Sequence, residues 1–168
     1  MIHVLNASPL IVLAKAELLG AILAIPDYKT LIPRAVADEI NCCDDRTDPA
    51  LIWLQSSLAA NYLEDSPTIP ESVIAWGLGA GESSVISLAQ ILPNATAVLD
   101  DLAARRCAES LGLPVTGTLG LVLKAKKTGN IKSVAKALDS IVAAGLFISE
   151  RHLLEICQRA GETYPWTE

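Results

Sequence analysis

The sequence predicts an α/β fold built on a mostly parallel β-sheet. Short apolar segments alternate with segments of helical periodicity along most of the 168-residue chain. The short segments are apolar at successive residues, which is typical of strands buried on both faces of a sheet. The last third is predicted to be helical only. Half of the residues are hydrophobic (51%) and 19% are charged, which favours one domain with a sizeable core.

Five short apolar segments are the predicted strands. Each is followed, after a few residues, by a helical pattern or by a loop rich in turn residues. Because a parallel strand needs a crossover to reach its neighbour, this alternation indicates βα units. The predicted strands are 3–5, 30–32, 62–63, 95–99 and 113–115.

The helices are predicted from their capping residues and prolines. Ser8 is a candidate N-cap for the first helix, with Pro9 in its first turn. Asp48 followed by Pro49 gives the same start signal, and Ser149 is a candidate cap for the last helix. The predicted helices are 8–22, 34–40, 50–59, 83–92, 102–111, 119–127, 133–144 and 150–160.

Composition and charge limit the classes of function. The chain carries 13 basic and 19 acidic side chains, a formal net charge of −6. This balance argues against a broad electrostatic grip on nucleic acid, but it leaves room for a local basic patch. Every apolar run is interrupted well before about 18 residues, so no transmembrane helix is expected. The first residues lack the basic stretch that opens a signal peptide.

The cysteines predict a cytoplasmic protein. There is no C-x-x-C motif, and the adjacent pair has no nearby His to complete a zinc site. Reduced structural thiols are typical of a reducing compartment. The residues concerned are Cys42, Cys43, Cys107 and Cys157.

Three of the predicted strands end at residues that are able to bind a ligand. Asn6 follows the first strand, Asp100 and Asp101 follow the strand AVL, and Thr116 follows the strand LPV. In an open parallel sheet, ligands bind beyond the carboxyl ends of the strands. We therefore expect these side chains to share one edge of the sheet.

Two glutamates are further candidates for the same edge. Glu82 lies in the first turn of the helix after GAG, where the helix dipole favours a carboxylate. Glu39 lies about two turns into its helix, and its spacing alone does not place it at the edge. A divalent cation removes the repulsion between gathered carboxylates, and oxygen ligands favour Mg²⁺ or Mn²⁺ over zinc. Such a cation activates water and stabilises charge on a phosphoryl group, so phosphodiester hydrolysis is the natural chemistry.

Each of these residues also has a purely structural interpretation. A glutamate in a first helical turn, such as Glu82, is often only a partner of the helix dipole. One residue of the Asp100–Asp101 pair is expected to cap the helix that follows. Glu39 fits a solvated helix face equally well. Taken one by one, these residues do not define a site.

Five segments occur in an order that resembles one known family. The block from Asp100 to Lys126 is the most specific, and the resemblance extends over essentially the whole chain. The segments are NASPLI, IPRAVADEI, GAGESSVISLA, AVLDDLAARRCAESLGLPVTGTLGLVLKAK and GLFIS. The sequence resembles PIN-domain proteins, in the branch related to VapC-type toxins.

The resemblance implies a three-layer α/β/α sandwich with an acidic metal pocket, followed by C-terminal helices. It implies RNA cleavage that depends on Mg²⁺ or Mn²⁺, by a homodimeric toxin that a small antitoxin silences. Ser8 matches the small hydroxyl residue that supports the first motif. The implied pocket residues are Asn6, Glu39, Glu82, Asp100 and Asp101.

Position 6 departs from the family pattern. PIN nucleases usually carry Asp at this position, and this chain carries Asn6. An amide oxygen can coordinate Mg²⁺, but it brings no charge and cannot act as a general base. We expect a lower metal affinity, for which Asp100 and Asp101 together compensate.

Two functions follow from these residues. The first is a metal-dependent ribonuclease in which Thr116 positions water or phosphate, while Arg105 and Arg106 contact the RNA backbone. Arginines on a helix are more often plain surface charges, so this role depends on the site beside them. The second is a catalytically weakened PIN-like module that binds nucleic acid or protein, which the neutral Asn6 favours.

Two other classes of site fit poorly. A phosphoacceptor receiver domain places its acid pair after the first strand and a Lys after the fifth, whereas Asn6 and Thr116 occupy these positions here. A Rossmann dinucleotide site needs a strand that runs directly into its glycines. No predicted strand runs into GLGAGE.

The C-terminal part allows two interpretations. The Gly129-Asn130 turn is a candidate boundary between an α/β core, 1–128, and a helical appendage, 129–168. The apolar helix face formed by Val134, Leu138, Ile141 and Val142 predicts either core packing or a surface for a dimer or an antitoxin. Tyr164 and Trp166 in the tail predict docking onto this chain or another.

Overall fold

A computed structural model describes residues 1–164 and contains a parallel β-sheet. Its strands are β1 (Ile2–Leu5), β2 (Lys29–Pro33), β3 (Leu63–Glu64), β4 (Ala95–Val98) and β5 (Val115–Thr116). They lie in the order β3-β2-β1-β4-β5, and every pair is parallel. The predicted α/β fold with a parallel central sheet is confirmed.

Helices connect the strands and form the C-terminal part. A short 3₁₀ helix (Ala59–Asn61) precedes β3. The α-helices are α1 (Ala7–Lys15), α2 (Leu19–Leu23), α3 (Arg34–Asn41), α4 (Pro49–Leu54), α5 (Glu71–Ile74), α6 (Ala80–Ile91), α7 (Leu102–Ser110), α8 (Thr118–Lys127), α9 (Val134–Ala143) and α10 (Glu150–Arg159).

The start of the first helix differs from the prediction. Ser8 was expected to be the N-cap, but the structure places Asn6 there and leaves Ser8 exposed in the first turn. Asn6 has an extended backbone, and its carbonyl accepts the amide of Leu10 at 3.2 Å, which starts the helix two residues earlier. The predicted single helix 8–22 is also wrong, because Glu17 has a left-handed φ of 59° between α1 and α2.

Three further boundaries differ. The helix predicted over 50–59 ends at Leu54, and α5 has no counterpart among the predicted helices. The strand predicted at 113–115 is shifted toward the C-terminus. Its ladder to β4 pairs Val98 with Thr116, so the bonds to β4 decide where β5 ends. The caps by Asp48 and Ser149 are confirmed.

The core includes residues of the C-terminal helices. Val134, Leu138 and Ile141 are fully buried, so the predicted packing of this face against the core is confirmed for them. Val142 is 44% exposed, and its inclusion in that face was wrong. All four cysteines are free thiols. No helix within the described residues has the length and apolar character needed to cross a membrane.

The end of the described chain is attached to α9. The Glu162 carboxylate accepts the amides of Val134 at 2.9 Å and Ala135 at 3.0 Å, and it lies 2.7 Å from the Lys126 ammonium. Burial raises the pKa of Glu162, but the Lys126 contact and the hydrogen bonds to α9 outweigh it and lower the pKa to about 2. The Tyr164 hydroxyl donates to Asp139 at 2.6 Å, which confirms docking of this aromatic residue on its own chain. Trp166 lies outside the described residues.

A buried histidine lies at the beginning of β1. His3 is 5% exposed and stacks on Tyr28 at 4.2 Å between ring centroids, and the Lys124 ammonium lies 4.4 Å from the same Tyr28 ring. Burial, Lys124 and the N-terminal ammonium together lower the pKa of His3 to about 4. The histidine is therefore neutral in the folded protein at neutral pH.

Candidate active site

The end of β1 places Asn6 beside the end of β4. Leu5 pairs with Val98, and the Asn6 amide donates to the Val98 carbonyl at 3.2 Å. Asn6 is only 4% exposed, and its side-chain oxygen has no hydrogen-bond partner in the part of the chain that the structure describes. A buried amide oxygen without a partner is costly, so this atom is available to a ligand.

Asp100 follows β4 and is held by the start of α8. Its Oδ1 accepts the Thr118 amide at 2.8 Å, and its Oδ2 accepts the Thr118 hydroxyl at 2.5 Å. A Cβ on Gly117 would lie 2.7 Å from Oδ1, so only glycine lets the chain pass this close. A carboxylate has about four lone-pair sites, and each Asp100 oxygen can therefore accept a second partner.

Thr118 holds the candidate residue Asp100, and the sequence did not predict this contact. It is fully buried, and both of its donors go to Asp100. The signal was present in LPVTGT, where a second hydroxyl residue follows the strand and begins a helix. Thr116 was singled out because it follows the predicted strand directly.

Asp101 has a structural task. It is exposed, it is the N-cap of α7, and its Oδ1 accepts the Ala104 amide at 2.9 Å. The expectation that one residue of the Asp100–Asp101 pair caps this helix is confirmed. The cap fixes the backbone directly after Asp100.

Glu39 and Glu82 come together at the N-terminus of α6. Glu39 accepts the Gly81 amide at 2.7 Å, and Glu82, in the first turn of α6, accepts the amide of the N-cap residue Gly79 at 2.9 Å. A Cβ on Gly79 would lie 3.0 Å from Glu82 and 3.8 Å from Glu39, so both carboxylates flank one position. The positive end of the helix dipole offsets part of their repulsion.

Glycine is needed at position 81 for the same reason as at position 117. A Cβ on Gly81 would lie 2.5 Å from Glu39 Oε2. The helix can therefore bring its amide to the Glu39 carboxylate only because Gly81 has no side chain. This contact places Glu39 at the N-terminus of α6. The spacing of Glu39 within α3 did not predict that position.

The predicted nucleic-acid contacts separate into two groups. Arg105 and Thr116 line a cleft of about 530 Å³ together with Asp100, and Arg105 Nη1 donates to the Leu99 carbonyl at 2.9 Å. Arg106 is exposed on α7 and does not line this cleft. The structure therefore brings Arg105, but not Arg106, next to Asp100.

The oxygen donors after β1 and β4, and those at the N-terminus of α6, are of the kind that a hard divalent cation binds. Within residues 1–164, no three His, Cys, Asp or Glu side chains are grouped closely enough to hold a metal ion together. Mg²⁺ does not need such a cage, because it keeps several waters and is commonly bound through one or two carboxylates and a substrate phosphate. The unpartnered Asn6 oxygen and the paired Glu39 and Glu82 carboxylates fit that mode of binding.

A parallel sheet with oxygen ligands at the carboxyl ends of its strands is typical of α/β proteins that bind ligands at this edge. The chain matches a family model described as a PIN domain over residues 2–162. The protein therefore belongs to the PIN-domain family, as the sequence predicted. No curated protein and no solved structure matches the chain. PIN domains are generally divalent-metal-dependent nucleases, so membership indicates nuclease chemistry and nucleic-acid binding in general terms.

Proposed function

We propose that the protein is an endoribonuclease that hydrolyses RNA phosphodiester bonds with Mg²⁺ or Mn²⁺. The observation that carries the proposal is the Asn6 side-chain oxygen, which is buried and unpartnered at the sheet edge of a PIN domain, one strand from Asp100. A structural Asn would be expected to satisfy this atom within the protein. A ligand site explains why it does not.

The proposed ligands are all oxygens. Asn6, Glu39, Glu82 and Asp100 are the residues that would hold the cation, and Asp101 fixes the chain beside them through its cap. When bound, the cation would supply charge neutralisation at the phosphate and an attacking water of lowered pKa. Asn6 is neutral and does not accept a proton, so its proposed role is to bind the cation or to orient water.

The contacts of Asp100 support its proposed task. Thr118 donates to both carboxylate oxygens and so fixes the plane of the group. Arg105 is held by the Leu99 carbonyl in the same cleft, which places a guanidinium where a phosphate would enter. Thr116 lines this cleft and is proposed to orient water or phosphate.

The biological setting is a further part of the proposal. We infer a toxin of a toxin–antitoxin pair, acting as a homodimer in the cytoplasm, from the resemblance to VapC-type proteins and from the free cysteines. The neighbouring reading frame tests this, since a small antitoxin-like gene there would favour it. Without such a gene, the toxin assignment would be dropped and the nuclease assignment kept.

Cleavage of a panel of fluorescent single-stranded RNAs in Mn²⁺ or Mg²⁺ tests the nuclease. We expect the parent to cleave, and Asp100→Asn and an EDTA reaction to lose cleavage by at least about 100-fold, the loss typical for one electrostatic contact in a transition state. Thermal melting of Asp100→Asn checks that it folds. Cleavage by this variant at the parental rate would overturn the assignment.

A weakened binding module is the second candidate. The neutral Asn6 and the absence of a group of three acidic side chains within residues 1–164 favour it. Asn6→Asp discriminates the two functions. In a nuclease, the variant gains Mn²⁺ affinity and cleavage. In a binding module, neither parent nor variant cleaves RNA at any Mn²⁺ concentration.

A further inference from the structure

Three clefts that share lining residues lie along α8 and α10, and Asp100 lines two of them. The 530 Å³ cleft is lined by Asp100 at one end and Arg159 at the other. A second cleft, of about 290 Å³, shares Asp100 and His152 with it, and a third, of about 380 Å³, shares Arg159 and adds Lys127. We call this surface the α8–α10 groove. The groove follows the 10 residues of α8. At a rise of 1.5 Å per residue, this is a length of about 14 Å.

Away from Asp100, the unpaired charges of the groove are cationic. Arg159 and Lys127 are exposed, and neither forms a salt bridge within residues 1–164. Glu155 also lines the groove, but its carboxylate is bound by Arg151 at 3.0 Å. In a chain of net charge −6, Arg159 and Lys127, together with Arg105 in the cleft that Arg159 also lines, form a local cationic patch that fits an anionic strand.

An exposed aromatic ring stands at the Asp100 end. Phe147, the single phenylalanine of the chain, is 91% exposed in the loop between α9 and α10. It lines the 290 Å³ cleft together with Asp100, Leu119 and His152. An aromatic face beside a cationic groove is the arrangement by which proteins hold single-stranded nucleic acid, the base stacking on the ring and the backbone following the charges.

We propose that single-stranded RNA lies in the α8–α10 groove, with a base stacked on Phe147 and the backbone on Arg159 and Lys127. This inference rests on the proposed nuclease function and adds the path of its substrate. The groove places the stacked base next to Asp100, so Phe147 is a binding residue that selects unpaired strands. A paired base has no free face for the ring, and duplex RNA is expected to bind more weakly.

Anisotropy of a labelled single-stranded RNA of about 12 nucleotides, measured in EDTA, tests the path without cleavage. Phe147→Ala is expected to weaken binding by about 5-fold to 150-fold, and Phe147→Trp to retain it. The double variant Lys127→Gln/Arg159→Gln is expected to reduce the salt slope by about 1.4, or about 0.7 for each lost phosphate contact. Phe147→Ala is expected to leave the salt slope unchanged.

Matched controls remove a cation or an apolar side chain outside the groove, and so test whether the position of the substitution matters. Arg46→Gln removes an exposed cation that lies outside the groove and forms no salt bridge within residues 1–164, and Ile74→Ala removes an apolar side chain that is 60% exposed in α5. Both are expected to bind RNA like the parent. All substituted residues are exposed, so thermal melting is expected to be unchanged.

The outcomes distinguish a failure of the proposed RNA path from a failure of the proposed nuclease function. Equal RNA affinity for Phe147→Ala, the double variant and both controls overturns the path. If the parent still cleaves RNA and Asp100→Asn does not, the nuclease stands without it. A change in oligomeric state in place of RNA affinity would make the groove a protein interface and overturn the proposal. Failure of the parent to bind or cleave any RNA overturns both.

Discussion

Replacing Gly81 by Ala displaces Glu39, one carboxylate of the proposed site, without removing any functional group. The new Cβ would lie 2.5 Å from Glu39 Oε2 and 2.9 Å from its carboxyl carbon, so the carboxylate has to move. It then loses the amide hydrogen bond of 2.7 Å. Because Glu39 is exposed, the displaced carboxylate is hydrated, and the steric cost itself is small.

The expected loss of stability is the difference between two effects. A hydrogen bond to a charged acceptor contributes about 1.5–3 kcal/mol, with the lower end appropriate for an exposed group. Ala in place of Gly in a helix returns up to about 1 kcal/mol. We therefore expect Gly81→Ala to lower the free energy of unfolding by about 1 kcal/mol.

Gly20→Ala is the matched control. Gly20 is also the second residue of its helix, α2, and a Cβ there would meet nothing within 4 Å. It is expected to raise the free energy of unfolding by up to about 1 kcal/mol, so the two variants differ by about 2 kcal/mol. Urea denaturation at neutral pH measures both values.

A double-mutant cycle isolates the contact. In a Glu39→Ala background, the Cβ at position 81 has no carboxylate to displace, and Gly81→Ala should behave like Gly20→Ala. Mn²⁺-dependent RNA cleavage should fall in Gly81→Ala and stay unchanged in Gly20→Ala. Equal stability of the two single variants would refute the idea that Gly81 places Glu39.

Three other predictions concern residues outside this contact. Lowering the pH from 7 to 5 should cost about 2 kcal/mol of stability, because below 6.5 the unfolded chain protonates His3 and the folded one, with a pKa of about 4, does not. His3→Phe should lose this dependence in urea denaturation, and a parallel pH profile for both proteins would count against it. Glu162→Gln should lower stability at pH 7 by about 1–2 kcal/mol, discounted for solvent contact, and its difference from the parent should vanish as the pH falls from 4.5 toward the folded pKa of about 2. A constant difference in thermal melting over that range would contradict this. Thr118→Val should leave Asp100 unfixed and reduce cleavage about 10-fold or more with unchanged RNA affinity, whereas Thr118→Ser, which keeps the hydroxyl, should retain most of the activity. Loss of RNA affinity in Thr118→Val would show that the threonine acts on binding instead.

The residues that could be located from sequence are those tied to strand ends. Asn6 and Asp100 directly follow apolar strands, and their neighbourhood comes from the register of β1 and β4. Glu82 could be placed because it lies in the first turn of its helix, where the helix dipole favours a carboxylate. In each case the local chain fixes where the side chain lies.

Other parts of the site depend on contacts between distant segments. Glu39 is positioned at the N-terminus of α6 through the amide of Gly81, 42 residues along the chain, and no pattern within α3 shows this. Thr118 reaches Asp100 across 18 residues for the same reason. The break after α1 was missed because Glu17 adopts a left-handed backbone that its side chain does not favour.

The contact of Glu162 with the start of α9 also has a topological consequence. It joins positions 28 residues apart, so α9, Phe147 and α10 form a loop that is closed without a covalent bond. Such a loop is expected to open as one cooperative unit, since its closing contact restricts the whole segment. Amide exchange over 134–162 would then report a single opening free energy, below that of the sheet. Because α10 lines the α8–α10 groove, the groove would be complete only while this segment is closed.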